Sequence, residues 1–348
     1  MTPLSSPDTL RDFQVALTDW FREEGEDYPW RRTTDPYAIL VSELMLQQTR
    51  IATVLGRGYY SRWMKSFPDW ASLAEAREED LLKAWEGLGY YNRARNLQRA
   101  AREVLESHGG EFPESLEEIE SLPGVGRYTA GAVYSFALGR RAPIVDGNVV
   151  RVLSRLFRYR EPVDTTKARR EFWKLADEMT PGDRVRNYNS AIMELGQRVC
   201  VRSKPDCASC PVSPWCEARA EGDAERLPVK KGKTQITDRV ERVALAVRNE
   251  EVFLEQETGG RRKGLWKLPE IAEDLSADLE EWSRFSYAIT RYRIELRLFR
   301  IPDSWIERVV GTREGEWHSM LQPEALPPLG APYRKAIERF LASREDLI

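Results

Sequence analysis

Three features of the sequence predict a mostly helical protein with a smaller α/β domain towards its C-terminal end. Apolar residues recur at three- and four-residue spacing, between glycine breaks, over residues 9–222. After Gly222 the chain turns polar and charged in "DAERLPVKKGKTQITDR", a composition that suits a linker. Beyond residue 240 apolar and β-branched residues alternate, as strands require. With 348 residues and 41% apolar content, the chain can bury two cores. The expected division is a helical domain over 1–222, a linker over 223–240 and an α/β domain over 241–348.

Each element follows from local signals. Asp35-Pro36 supplies an N-cap and a first-turn proline for a helix running through "AILVSELML". "SLAEAREEDLLKAWEGL" (72–88) predicts one helix, stopped by Gly87 and Gly89. "RARNLQRAAREVLESHGG" predicts another, capped by His108-Gly109-Gly110. "SLEEIESLPGVGRYTAGAVYSFAL" and "KARREFWKLADEM" are helix-rich. In the last third, "RVALAVRNEEVFLEQ" and "RYRIELRLFRI" read as strands, and "PYRKAIERFLAS" as a closing helix. No internal repeat or low-complexity block is present.

Composition narrows the chemistry. No apolar run approaches the roughly 20 residues that span a bilayer, and "MTPLSSPDTLRDFQ" lacks a signal-peptide pattern. The expectation is a soluble intracellular chain with no membrane partner. A net charge of -3 gives no global sign of nucleic-acid binding, so any basic surface is local. The two histidines, His108 and His318, leave little for histidine triads or zinc–histidine sites. Acid–base work falls to carboxylates.

Four constellations carry chemistry. Glu43 is hemmed in by Val41, Leu44, Met45 and Leu46, and a buried carboxylate either finds a partner or becomes neutral. "LPGVGRYTAGAV" (122–133) lies between two helical patterns. Its Gly124 and Gly126 allow close backbone approach ahead of a positive helix end, the form of a helix–hairpin–helix turn that grips a DNA phosphate. An ordinary tight turn has the same glycines. All four cysteines (Cys200, Cys207, Cys210 and Cys216) fall in one loop with C-x6-C-x2-C-x5-C spacing. Disulfides, a zinc site and a 4Fe-4S cluster all use such residues. The single close pair and compact irregular loop favour the cluster. Finally, Asp146 in "PIVDGNVVRV" follows a strand-like run and precedes a helix, where aspartate commonly serves as an N-cap.

In this order, the turn, the aspartate and the cysteine loop resemble the endonuclease III superfamily of DNA glycosylases. Within it the chain resembles adenine DNA glycosylases of the MutY type. "YPWRR", "SELMLQQT", "AWEGLGYYNRARNL" and "VDGNVVRVLSRLF" carry the likeness over residues 9–230. "GLWKLPE" (264–270) is similar to the family's Nudix-like lesion-recognition domain. The resemblance implies a helix–hairpin–helix glycosylase fold with an iron–sulfur loop. Its expected function is removal of adenine mispaired with 8-oxoguanine or guanine in double-stranded DNA, by a monomer in the bacterial cytoplasm and nucleoid.

The resemblance also assigns roles. Glu43 would protonate N7 of a flipped adenine and then help activate water, while Asp146 stabilises the oxocarbenium-like sugar and Asn148 orients both. Bifunctional relatives carry lysine at the position of Tyr128. A phenol forms no imine, so base removal without an efficient strand-cleaving step is expected. Gln48 and Tyr90 would wedge into the duplex, Thr49 would sit near the opposite base, and Trp30 and Arg31 would line the pocket. Two departures stand out. Ser190 replaces the Gln or Glu that holds the adenine amine, and Thr290 and Arg291 stand where the family places Ser-His in its lesion-reading loop. The acidic Nudix helix is missing too, so nucleotide hydrolysis is not expected. The rival readings are a mismatch thymine or uracil glycosylase and a catalytically silent iron–sulfur DNA-binding protein.

Overall fold

The computed structural model describes residue 4 and residues 6–232, 235–289 and 291–345. The chain forms two compact units, Met1–Gln48 with Arg99–Gly232, and Thr49–Gln98 with Lys233–Ile348. The break at 232/233 lies inside the stretch expected as a linker. By contrast, the grouping of Thr49–Gln98 with the C-terminal part has no local sequence signal.

The first unit is helical. Pro7–Glu24, Pro36–Leu46, Leu116–Ser121, Arg127–Phe136, Gly147–Leu156, Thr166–Met179 and Val185–Glu194 are its main helices. Phe13, Leu17, Leu153, Phe172, Tyr188 and Ile192 are buried together at its centre. Helix Pro36–Leu46 is buried on every side from Tyr37 to Met45, which explains its unbroken apolar run. It starts as expected: the Asp35 carboxylate accepts from Tyr37 N at 3.0 Å and Ala38 N at 3.3 Å.

The second unit begins with short helices, and here one expectation needs correction. Residues 72–88 form two helices, Trp70–Glu75 and Glu78–Ala84. Asp69 and Ser72 form a capping box on the first. The buried side chain of Gln98 donates to Leu73 O at 3.2 Å and Ala76 O at 2.6 Å, satisfying the carbonyls freed by the break. Helix Asn92–Ser107 ends at left-handed Gly109 and Gly110 as expected.

The remainder of this unit holds seven strands among the described residues: β1 (Thr237–Leu245), β2 (Val247–Arg248), β3 (Glu251–Gln256), β4 (Trp266–Lys267), β5 (Glu281–Ile289), β6 (Tyr292–Arg300) and β7 (Glu316–Ser319). One sheet has the order β1-β6-β5, with β1 parallel to β6 and β5 antiparallel to it. In the other, β3 pairs antiparallel with β2, β4 and β7. Helix Ala331–Glu345 closes the unit, with Tyr333, Ala336 and Ile337 in the core beside Leu296 and Leu298. β1 starts at Thr237, a few residues before the boundary expected from sequence. Among the described residues, no helix is long and apolar enough to cross a membrane.

Candidate active site and cysteine loop

Glu43 is buried, with 6% of its surface exposed. Helix Pro36–Leu46 packs on helix Arg127–Phe136, which brings the Tyr128 hydroxyl to donate to Glu43 Oε2 at 2.9 Å. The same hydroxyl lies 3.8 Å from Met193 Sδ. Burial pushes the Glu43 carboxyl up to about 7. The Tyr128 hydrogen bond opposes the rise, the charge of Asp146 adds to it, and Arg31 moderates it. A carboxyl poised there can hold a proton and release it near neutral pH.

Asp146 caps a helix, and its charge acts on Glu43. As N-cap of helix Gly147–Leu156 it accepts from Asn148 N at 2.9 Å and Val149 N at 2.7 Å. Its second oxygen accepts from Asn148 Nδ2 at 2.8 Å. Burial raises its pKa, while these three donors and Arg151 restrain the rise. Asn148 Oδ1 in turn accepts from Arg151 Nη2 at 2.7 Å, and Arg151 Nε donates to Cys200 O at 2.7 Å. The site is thereby joined to the cysteine loop through one side-chain chain of hydrogen bonds. Gly196 permits this packing: a Cβ there would stand 2.7 Å from Asn148 Cβ.

Trp30 is buried and stacks on Tyr28 at 5.3 Å. Arg31 lies over the rings of Tyr28 and Phe21, donates to Glu26 O at 2.7 Å and pairs with Glu194. Glu194 is fully buried and also takes Arg198 Nη1 at 2.8 Å and Glu26 N at 2.9 Å. Ser190 is buried on the same helix, three and four residues before Met193 and Glu194, and therefore shares their face. Sequence reasoning missed Glu194, Arg151 and Gly196. The question asked of Glu43, an acid inside an apolar run, would have found Glu194 in "SAIMELG".

The turn expected to meet phosphate is present. Helix Leu116–Ser121 leads to Gly124 at φ 78°, and the exposed Gly126 caps helix Arg127–Phe136. In the first unit, exposed Gln48 holds a left-handed φ of 59° just after helix Pro36–Leu46. In the second unit, Tyr90 is half exposed at φ 49°. Such backbones cost a non-glycine residue roughly 1–3 kcal/mol and often mark functional positions. Beneath Tyr90, the buried Arg93 guanidinium donates to Leu88 O at 3.0 Å and Gly89 O at 2.9 Å, and reaches Thr49 Oγ1 at 3.4 Å. Arg291 is exposed and donates to Tyr292 OH at 3.0 Å. Thr290 lies outside the described residues.

Cys200, Cys207, Cys210 and Cys216 line one small cavity in the first unit. Burial pushes the Cys210 thiol up to about 12 and raises Cys207 and Cys216, with the neighbouring sulfurs adding to the rise. Among the described residues, no three cysteine, histidine or carboxylate side chains stand in metal-holding geometry. The donor set nevertheless fits a thiophilic metal centre. Four sulfurs share one pocket, and the buried Arg155 guanidinium donates to Cys200 Sγ at 3.2 Å. Arg155 also donates to the carbonyls of Val201 at 2.7 Å, Ala224 at 2.8 Å and Arg202 at 3.2 Å, tying both ends of the loop together.

Residues 41–178 match the family model of the HhH-GPD superfamily base excision DNA repair protein. The adenine DNA glycosylase of Homo sapiens is 42% identical over 224 residues, covering 62% of this chain and 41% of that protein. The adenine DNA glycosylase of Buchnera aphidicola subsp. Acyrthosiphon pisum is 31% identical over 256 residues, covering 73% of this chain and 72% of that one. The chain thus spans less than half the length of its human relative. Among solved structures, a thermostable thymine-DNA glycosylase aligns with a TM-score of 0.56 at 30% identity, covering 61% of this chain and 97% of its own. A non-covalent endonuclease III–DNA complex aligns at 0.52 and 25%, covering 61% and 97%.

Proposed function

Because the chain belongs to the HhH-GPD superfamily of base excision DNA repair proteins, and within it to the adenine DNA glycosylases, we propose that it hydrolyses the N-glycosidic bond of adenine mispaired in double-stranded DNA. The observation that carries this reading is Glu43: a buried carboxyl with its pKa near 7, hydrogen-bonded to a phenol and coupled to a second carboxylate. Neutral adenine leaves poorly, so bond breaking needs an acid at the base. Glu43 donates its proton to N7 as the C1′–N9 bond opens. Asp146, its charge favoured by two main-chain N–H groups and Asn148, stabilises the positive charge that develops at C1′. Water then adds to C1′ and yields its proton to Glu43, now a base.

Tyr128 supports a monofunctional reaction, since its hydroxyl is engaged with Glu43 and offers no amine for an imine. Trp30, Arg31 and Ser190 line the base pocket, and Gln48 and Tyr90 enter the duplex. Thr49 faces the orphaned base, and the main chain at Gly124 and Gly126 grips a phosphate. The four cysteines would hold a 4Fe-4S cluster, which supplies a rigid fold for the loop and its cations. The opposite base is 8-oxoguanine or guanine, and Thr290 and Arg291 stand at the sequence positions of the family's lesion-reading loop.

The test is release of free base from duplexes carrying A opposite 8-oxoguanine, G, C and T, alongside T and U mismatches. Adenine release from the first two supports the reading. Release of thymine or uracil alone would replace it with the rival glycosylase, and release of no base would leave a silent DNA-binding protein.

A further inference from the structure

The reaction above leaves one buried carboxylate of the first unit without a task. Glu194 is fully buried at the end of helix Val185–Glu194 and accepts from three donors. Its Oε1 takes Arg198 Nη1 at 2.8 Å and Glu26 N at 2.9 Å, and its Oε2 takes Arg31 Nη1. Removing a carboxylate from water carries a large desolvation penalty, which even good ion pairs often only offset. Stability is therefore a weak reason for an acid at this place. The placing of its partners is a better one.

Arg31 stands between two acids. It ends the turn Pro29–Arg31, which packs on helix Pro36–Leu46, the helix that carries Glu43. The Phe21 and Tyr28 rings lie 4.9 and 4.7 Å from its guanidinium carbon, and its Nη1 also donates to Glu26 O at 2.7 Å. Its own carbonyl accepts from Arg186 Nη2 at 2.8 Å. Among the described residues Arg31 makes no hydrogen bond to Glu43, which is bonded to Tyr128 instead. Yet the charge of Arg31 reaches Glu43 and favours its ionised form. It reaches Asp27 too, but Asp27 is exposed and already holds Arg32 Nε at 2.8 Å. A guanidinium released by Glu194 would turn to Glu43.

We infer that Glu194 is a positioning residue: it clamps the Arg31 guanidinium beside Tyr28 and Glu26, clear of Glu43, and so preserves the proton that Glu43 gives to the base. This inference rests on the reading of Glu43 as the acid. The other groups that face Glu43 are the Tyr128 phenol, from helix Arg127–Phe136, and Asp146 at the cap of helix Gly147–Leu156. Those that face Glu194 are Arg198, which also pairs with Glu26 at 3.8 Å, and the Tyr28 phenol. Neutralising Glu194 leaves all of these in the chain. It frees Arg198 together with Arg31, and a double variant separates the two.

The test needs no DNA. The full chain is isotope-labelled at its glutamate carboxyls, and the Glu43 resonance is identified by its loss in Glu43→Gln. Its titration midpoint should fall by about one pH unit in Glu194→Gln, the size expected when one charge near the acid loses its partner. Arg31→Met, which leaves Glu194 to Arg198, should raise the midpoint. The double variant Glu194→Gln with Arg31→Met should not fall below wild type. An unmoved midpoint in folded Glu194→Gln, or one equally lowered in the double variant, would overturn the clamp. If Glu194→Gln does not fold, Arg31→Met decides, and a midpoint that fails to rise there would overturn it equally. Adenine release is followed across pH on the same proteins, and its alkaline limb should move with the midpoint. Release with an unmoved midpoint defeats only the clamp, and a lowered midpoint without release defeats only the glycosylase reading.

Discussion

Unfolded, Glu43 gives up its proton near pH 4.5; folded, it does so only near 7. Between those values the folded state holds more protons than the unfolded one. Stability therefore falls as pH rises through that window, by about 3 kcal/mol once both states are ionised. Glutamine has no proton to lose. Melting curves of wild type and Glu43→Gln should thus diverge in favour of glutamine between pH 4 and pH 8, and parallel curves would mean that the carboxyl is hydrated. Tyr128 supplies the opposing influence, since its hydrogen bond favours the ionised form. Tyr128→Phe should move the alkaline limb of the adenine-release profile to higher pH. An unmoved limb would dissociate the phenol from the acid. These residues were legible in sequence because chemistry and position conflict: an acid among leucines demands a reason. Glu194 satisfies the same criterion and was passed over, since its partners Arg31 and Arg198 are assigned only by the fold.

Between residue and domain, the segment after helix Val185–Glu194 sets the site's geometry. Leu195–Val199 widens into a π turn, with Cys200 N bonded to Leu195 O at 2.7 Å. This turn carries Gly196 against Asn148 and ends at the first cysteine. Gly196→Ala forces Asn148 away from Asp146. A stability loss of about 1–3 kcal/mol is expected, with a much larger fall in adenine release. Wild-type release would show that Asn148 need not hold its place. The loop that follows should bind about four irons per chain and give visible absorbance. Stoichiometric zinc without iron, in protein purified without air, would exclude the cluster. Spacing exposed the cysteines, but Arg155 was invisible in sequence. One arginine among many becomes notable only when the fold buries it beneath four carbonyls. The split of residues 72–88 into two helices was hidden likewise, because Gln98 stabilises the break from 22 residues away.

At the scale of the whole chain, helical periodicity and the composition change after Gly222 disclosed both kinds of architecture. They did not disclose that Thr49–Gln98 groups with the C-terminal residues, a result of long-range contacts. Base choice also belongs to this scale. Under the proposed alignment of Thr290 and Arg291 with the family's Ser-His, the loop would lack a shaped donor–acceptor pair, which usually supplies about 1–3 kcal/mol of discrimination. A weaker preference for 8-oxoguanine over guanine is expected in single-turnover release from the two mismatches. Strong preference that collapses in Thr290→Ala would refute it. Delivery of a proton from Glu43 to adenine is read in the single-turnover rate of adenine release from an A·G duplex, across pH 5.5 to 8.5, for wild type and Glu43→Gln. The expected result is a wild-type rate that falls above about pH 7, where Glu43 loses its proton, and a variant slower by roughly 10²–10⁴-fold that still binds the duplex. Equal rates for the two proteins would show that Glu43 donates no proton to the leaving base.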